Sequence, residues 1–214
     1  VLIKKWLTFK KTKEASVLFL ISGLLLSAAG CQHIAENFQI RESDRMVMHA
    51  WVLGTKFKNK QRDSSLPGKT KVYLFGDDKL RMDVYDPFGL VSMGQLILNG
   101  NMMSLETING ISYKGPATKQ HIKQLLKIEV SPRDLFALFK QSGLDQKAWS
   151  CSVAGDYNKY SYCKSPAYQT EISWTGSMTQ KNTQMVLDHA RAELVFRVKS
   201  YNQVSEPNER VFKL

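Results

Sequence analysis

Short turns between period-two segments leave this chain little room for anything but an antiparallel sheet. Within Lys79 to Leu98, Leu80, Met82 and Val84 alternate with Arg81, Asp83 and Tyr85, the pattern of a half-buried strand. A break at Asp86-Pro87-Phe88-Gly89 follows. Beyond it Leu90, Gly94, Leu96 and Leu98 share one face, and Val91, Met93 and Ile97 share the other. A parallel partner would need a crossover of a dozen or so residues, so a break this short allows only a hairpin. Pro87 fixes its own φ and biases Asp86 towards extended backbone, while Gly89 accepts a positive φ. Phe88 therefore stands at the tip of a tight connection. An aromatic there either folds back onto the core or meets an apolar partner outside the protein. The local residues alone favour folding back.

The same pattern runs in both directions. Met46 to Phe57 reads as a strand, with Val47, Trp51, Leu53 and Phe57 on one face and Met48, Ala50 and Val52 on the other. A strand apolar on both faces is buried on both sides or lines an apolar cavity. Asn59 to Gly68 reads as a charged loop. Its end, Gly68-Lys69-Thr70, has the last residues of a phosphate loop, but Asp63 stands where that motif requires Gly. Thr70 to Phe75 is a second strand, ended by Gly76-Asp77-Asp78. Asn99-Gly100-Asn101 turns into a strand at Met102 to Ile108, and Asn109-Gly110 reads as a two-residue turn of the primed type.

The period then changes. Ala117 to Ile128 carries Ile122, Leu125 and Leu126 at helical spacing. Ser131-Pro132-Arg133-Asp134 is a helix start, with Ser as cap, Pro in the first turn and an acid at the third position. Leu135, Phe136, Leu138 and Phe139 make that helix strongly apolar until Gly143. These helices either pack as core or lie as a lid over one mouth of a curved sheet. Strands resume at Ser150 to Ala154, Lys159 to Lys164, Tyr168 to Thr175, Thr183 to Asp188 and Ala192 to Gln203. The expected fold is mainly β with inserted helices, a twisted antiparallel sheet long enough to curl into a barrel or half-barrel around side chains or a ligand. Met46, Met48, Met82, Met93, Met102 and Met103 fall in the first strands. Soft, adaptable thioethers suit a cavity for flexible chains as well as they suit ordinary core filling.

The N-terminus carries a different signal. Lys4, Lys5, Lys10, Lys11 and Lys13 precede an uncharged apolar run from Ala15 to Ala29, too short for a comfortable membrane span, and the run ends in Ser27-Ala28-Ala29-Gly30-Cys31. Small residues before a cut site mark a secretory signal, and a Cys directly after them resembles the lipobox of bacterial lipoproteins. That resemblance implies cleavage after residue 30 and lipidation of Cys31. Residues 31–45 then form a tether, and residues 46–214 a single domain. A plain secretory signal or a short membrane anchor are the alternatives. Gln32 follows the Cys; an Asp there resembles an inner-membrane retention signal, so Gln32 fits an outer-membrane address. Cys151 and Cys163 flank the turn-rich Gly155-Asp156-Tyr157-Asn158, where a hairpin would set them opposite each other. In an exported protein that spacing points to a cross-strand disulfide.

The net charge of +11 favours anionic membranes, acidic partners or nucleic acid, and the last is disfavoured because no basic stripe with interleaved aromatics stands out. No catalytic nucleophile has a recognisable base. GxSxG and HExxH are absent, and His33, His49, His121 and His189 are scattered. The expectation is a protein without enzymatic activity, metal or cofactor.

Taken in order, the lipobox, the strand, the tip Asp86-Pro87-Phe88-Gly89, the turn at Asn109-Gly110 and the helix at Ser131-Pro132-Arg133-Asp134-Leu135 resemble LolB, the outer-membrane lipoprotein-receptor family. The resemblance runs from about Met46 to Gln203 and is thin after Gly143. It implies a half-closed antiparallel β-barrel with a helical lid around an apolar cavity for acyl chains. It implies a protein anchored at the periplasmic face of the outer membrane of a Gram-negative bacterium. There it would accept lipoproteins from a soluble LolA-like carrier and insert them into the inner leaflet. A lipid- or lipoprotein-binding sensor on the same fold, without transfer, is the alternative. The family's protruding loop reads Asn-Pro-Leu-Gly, with a Leu that enters the membrane; here Phe88 takes that place, which shifts the expectation for the tip towards membrane contact. Acyl-cavity candidates are Met48, Val52, Leu80, Met82, Met93, Leu96, Leu125, Leu135, Phe139, Leu194 and Phe196.

Overall fold

The computed structural model describes residues 47–126, 130–154, 159–205 and 209–214. The leader and tether expected at residues 1–45, with Cys31, lie outside the described residues. The strands and helices fall in one compact unit, Met46–Leu214. Six strands come first: β1 (Met48–Asn59), β2 (Ser64–Phe75), β3 (Lys79–Tyr85), β4 (Ser92–Asn99), β5 (Met102–Thr107) and β6 (Ser112–Pro116). Two helices follow, α1 (Lys119–Leu126) and α2 (Pro132–Lys140). Then come β7 (Ser150–Ala154), β8 (Lys159–Ser165), β9 (Thr170–Trp174), β10 (Gln184–His189), β11 (Ala192–Val204) and a 3₁₀ turn, Glu209–Phe212.

All eleven strands form one antiparallel sheet in the order β6-β5-β4-β3-β2-β1-β11-β10-β9-β8-β7. Two meanders, β1–β6 and β7–β11, are thus joined where β1 pairs with β11. The edge strands β6 and β7 do not pair with each other, so the sheet is a barrel left open on one side.

One face of the sheet is the core. Register sets Trp51 opposite Val72, Val72 opposite Met82, Met82 opposite Leu96 and Leu96 opposite Leu105, so a single inward row crosses five strands. On the other meander Leu194 and Phe196 of β11 meet Leu187 and Met185 of β10. Against this face lies α2. Its start is as the sequence predicts: the Ser131 hydroxyl accepts from the Asp134 N–H at 3.0 Å, and Pro132 occupies the first turn. Leu135, Phe136, Leu138 and Phe139 are all buried, and Phe139 sits 5.7 Å from the Trp51 ring and edge-on to Phe196 at 6.0 Å. The Trp51 indole N–H donates to the Met178 carbonyl at 2.8 Å. The helix therefore fills one end of the concavity.

Three local differences from the sequence expectation have physical causes. The loop at Asn59–Gly68 is mostly strand, because β1 and β2 stay paired out to Asn59 and Ser64. Pro67 is tolerated there because β2 meets β3 only from Lys69 onward, which leaves that side of the strand an edge at Pro67. The chain after Asp86 re-enters the sheet at Ser92 rather than at Leu90, since the Asp86 carboxylate takes the Leu90 and Val91 N–H groups at 2.6 and 2.9 Å. The turn after β5 is a three-residue loop, not a primed two-residue turn. Gly110 alone takes a positive φ, and the Thr107 N–H donates to Ile111. The polar C-terminal tail also has a place. Phe212 is buried against Phe75, ring centroids 6.3 Å apart, and Arg81 donates to the Val211 carbonyl, so the tail straps the outer face of the sheet.

Candidate apolar cavity and its exposed rim

The concavity that α2 fills at one end is open at the other. There the inward row continues through Thr55 and Phe57 of β1, Thr70 of β2, Val84 of β3 and Leu194 of β11, and among the described residues neither helix supplies a side chain to the lining. The result is an apolar cavity of ≈ 350 Å³, within the range of small-ligand sites, which run from about 300 to 1,000 Å³. Leu66, Pro67, Pro87, Ile108 and Ile111 form its mouth.

Three hairpin connections meet at this mouth because an antiparallel meander brings every second turn to the same end. Just inside the first, β2 carries Leu66, 57% exposed; the second carries Phe88 and Leu90, 82% and 83% exposed, with Val91 beside them; the third carries Ile108, 55% exposed, and Ile111. The Ile108 N–H donates to the Met93 carbonyl at 3.0 Å, which holds the third loop against the start of β4. Side chains this apolar at loop tips form a patch with its own meaning, unlike scattered surface hydrophobics.

The middle loop is built to hold its tip outward. Asp86-Pro87-Phe88-Gly89 closes as a β-turn, the Gly89 N–H donating to the Asp86 carbonyl at 2.9 Å. Phe88 keeps a negative φ, and Gly89 takes φ +77. That conformation calls for glycine; a Cβ there would meet only the flexible Lys69 side chain, 3.2 Å away. The Asp86 carboxylate is held below its usual pKa, chiefly by the Val91 N–H it accepts and further by Leu90, Phe88 and Gly89, against a smaller opposing effect of desolvation. The loop is thus ordered by a charge-assisted clamp, while its apolar side chains remain in water. The fold-back arrangement that the local residues favour is not adopted.

No protein-family model matches the chain, and no curated protein matches it. Solved structures do. A LolA superfamily protein of Nitrosomonas europaea aligns at a TM-score of 0.54, covering 78% of this chain and 90% of its own, with 10% sequence identity. A domain described as an outer membrane lipoprotein-sorting protein, from Vibrio parahaemolyticus, aligns at 0.54, covering 85% and 95%, with 8% identity. The fold is LolA-like. At these identities the likeness is one of backbone architecture.

Within this LolA-like sheet the expected cavity residues separate by position. Met82, Met93, Leu194 and Phe196 line the cavity. Met93 does so because the β3–β4 register slips next to it, between Val84 and Tyr85. Leu80, Leu96, Leu135 and Phe139 are buried in the packed core. Met48 and Val52 alternate with Trp51 and Leu53 on β1 and so occupy the outer face, where Met48 stands opposite Phe75. The side chain of Leu125 lies outside the described residues. Cys151 and Cys163 face each other in the β7–β8 ladder with their sulfurs bonded. Sequence reasoning missed Leu66, Ile108 and Ile111. The signal was present: each is an apolar residue set directly beside turn residues that have no core to cover it.

Among the described residues no group of three His, Cys, Asp or Glu side chains is placed to hold a metal ion. No helix among them is long and apolar enough to cross a membrane.

Proposed function

We propose that this protein is a lipid-anchored receptor of the outer membrane that accepts lipoproteins from a soluble periplasmic carrier and releases them into the inner leaflet, as LolB-type proteins do. One observation carries the reading: an open apolar cavity and a ring of exposed apolar loop tips share one end of a LolA-like sheet. The cavity gives acyl chains a place out of water, each buried CH₂ contributing about 0.8 kcal/mol. Passage from one such cavity to another therefore needs no nucleotide, because the chain never pays the cost of full hydration between donor and acceptor. Phe88 and Leu90 enter the acyl boundary of the leaflet and open a path beside the mouth. Lipid on Cys31 keeps the domain at the surface, stably so when more than one chain is attached. No covalent bond is made or broken during transfer, so the activity is carriage rather than catalysis.

Reconstitution tests this reading. The full chain, loaded with a fluorescent triacylated peptide, is mixed with acceptor liposomes. Phe88→Glu is expected to bind the peptide as the parent does and to deliver it at least tenfold more slowly. Equal delivery by the two proteins would remove the tip from the mechanism. A parent protein that holds its peptide indefinitely in the presence of liposomes would be a sensor instead.

A further inference from the structure

We propose that the Thr55 hydroxyl is a hydrogen-bond donor aimed into the apolar cavity, and that it selects lipids joined by an acyl ester through the ester carbonyl oxygen. The proposal rests on the lipid-binding reading above and adds to it the polar group the ligand carries.

Thr55 of β1 and Thr70 of β2 both line the cavity and stand at its floor. The next inward residues along their strands, Leu53 and Val72, are fully buried in the packed core. The two hydroxyl oxygens lie 2.7 Å apart, so one donates to the other. Neither hydroxyl has another hydrogen-bond partner among the described residues. Two hydroxyls carry two protons, and the bond between them uses one. The second proton is left over.

Burial decides which oxygen keeps that proton. Thr70 is 0% exposed. Were Thr55 the donor, the Thr70 proton would be sealed away from any acceptor, at the desolvation cost of an unmade hydrogen bond. Thr55 is only half-buried, and it stands opposite Phe196 of β11, itself a wall of the cavity. Thr70 therefore donates, Thr55 accepts, and the Thr55 O–H turns towards the open space. Around it the wall is apolar, formed by Phe57, Met82, Leu194 and Phe196. The remaining polar residues of the lining, Tyr85, Asp86, Thr107 and Asn109, belong to the strand ends and turns at the mouth.

The complement of a lone donor in an apolar floor is an acceptor that brings no proton of its own and is flanked by hydrocarbon. An ester carbonyl is such a group. A plain hydrocarbon chain over the same floor leaves the hydroxyl desolvated and unpaired. Position agrees with chemistry. Across the sheet, Thr55 and Thr70 lie midway in the lining, with Met82, Val84 and Met93 of β3 and β4 to one side and Leu194 and Phe196 of β11 to the other. An ester held at Thr55 has apolar wall for hydrocarbon on both sides, which suits the two chains of a diacylglyceryl group.

Dioctanoylglycerol and its ether counterpart, dioctylglycerol, have the same backbone and chain length and differ only in the carbonyls. Each is titrated against the full chain below its own aggregation concentration. The expected result is that the ester binds about fivefold more tightly than the ether, the range of one neutral hydrogen bond. Thr55→Val, which keeps the shape and removes the hydroxyl, should bring the ester down to the ether and leave ether affinity within about twofold. Thr55→Ser, which keeps the hydroxyl, should retain the preference. Thermal midpoints of both variants are read alongside. Equal affinity for the two lipids in the parent protein overturns the carbonyl site and leaves the cavity reading standing. A preference that survives Thr55→Val overturns the assignment to this hydroxyl. So does an equal loss of both lipids in Thr55→Val, or a preference lost in a stably folded Thr55→Ser. Failure of both lipids to bind the parent overturns the cavity reading itself.

Discussion

Truncating Phe88 to alanine isolates the contribution of the loop tip. The ring is 82% exposed, so it contributes little to the folded state, and its removal should change stability by no more than about 0.5 kcal/mol. In an acyl boundary the same ring would gain about 1.5–3 kcal/mol from burial. At about 1.4 kcal/mol per tenfold, that gain corresponds to roughly ten- to hundredfold in vesicle affinity. The lipid anchor would mask this change, so the measurement uses a chain beginning at Met46, which contains the complete sheet. Co-sedimentation with phosphatidylethanolamine–phosphatidylglycerol vesicles should show Phe88→Ala weakened by about that factor, Phe88→Leu close to the parent, and thermal midpoints unchanged for both. If Phe88→Ala binds vesicles as the parent does, the tip is not a membrane contact. If it lowers the midpoint substantially, the ring is part of the core, and the reasoning from its exposure fails.

Further consequences concern the parts that hold the site. Asp86 has a pKa below its ordinary value of 3.8, so its clamp is complete above that value and is lost as pH falls through the depressed one. Protection of the Leu90 and Val91 amides, taken relative to their intrinsic exchange at each pH, should be lost as pH falls below 3.8 through the depressed pKa, and Asp86→Ala should lack that protection already at neutral pH. The Cys151–Cys163 bridge closes a 12-residue separation at the edge of the sheet. Replacing both by Ser should cost up to about 3 kcal/mol by loop entropy, read as a lower denaturant midpoint. Phe139→Ala should cost about 3–5 kcal/mol, because that ring plugs the filled end of the concavity between Trp51 and Phe196. An equilibrium denaturation showing less than 1 kcal/mol would mean that α2 is not packed there.

The sheet was legible because its information is local. Alternation from Leu80 to Val84 and again to Leu98, with turns too short for a crossover, dictates a meander whatever the rest of the chain does. The start of α2 was legible for the same reason, since Ser131, Pro132 and Asp134 act within one turn. What sequence could not supply is that apolar residues beside separate turns come together at one end. Leu66, Leu90 and Ile108 read as ordinary strand or loop residues until three separate turns are brought to one end of the sheet. Which side of β1 faces inward was equally hidden. Met48 and Val52 are as apolar as Trp51 and Leu53, and the choice is made by α2, more than eighty residues away. Phe88 shows the limit in the other direction: nearby residues favoured a buried ring, and the Asp86 clamp, which needs the backbone geometry to be seen, holds it out.

The central claim is that an acyl chain enters the apolar cavity beside Phe57. A photoreactive residue at Phe196, which lines the cavity, and another at Val195, which faces the opposite side of β11, test it directly. Irradiated with a triacylated peptide, the full chain should yield an acyl adduct at position 196 and none at 195, resolved by peptide mass. Adducts at both positions in equal yield, or none at 196, would contradict the account.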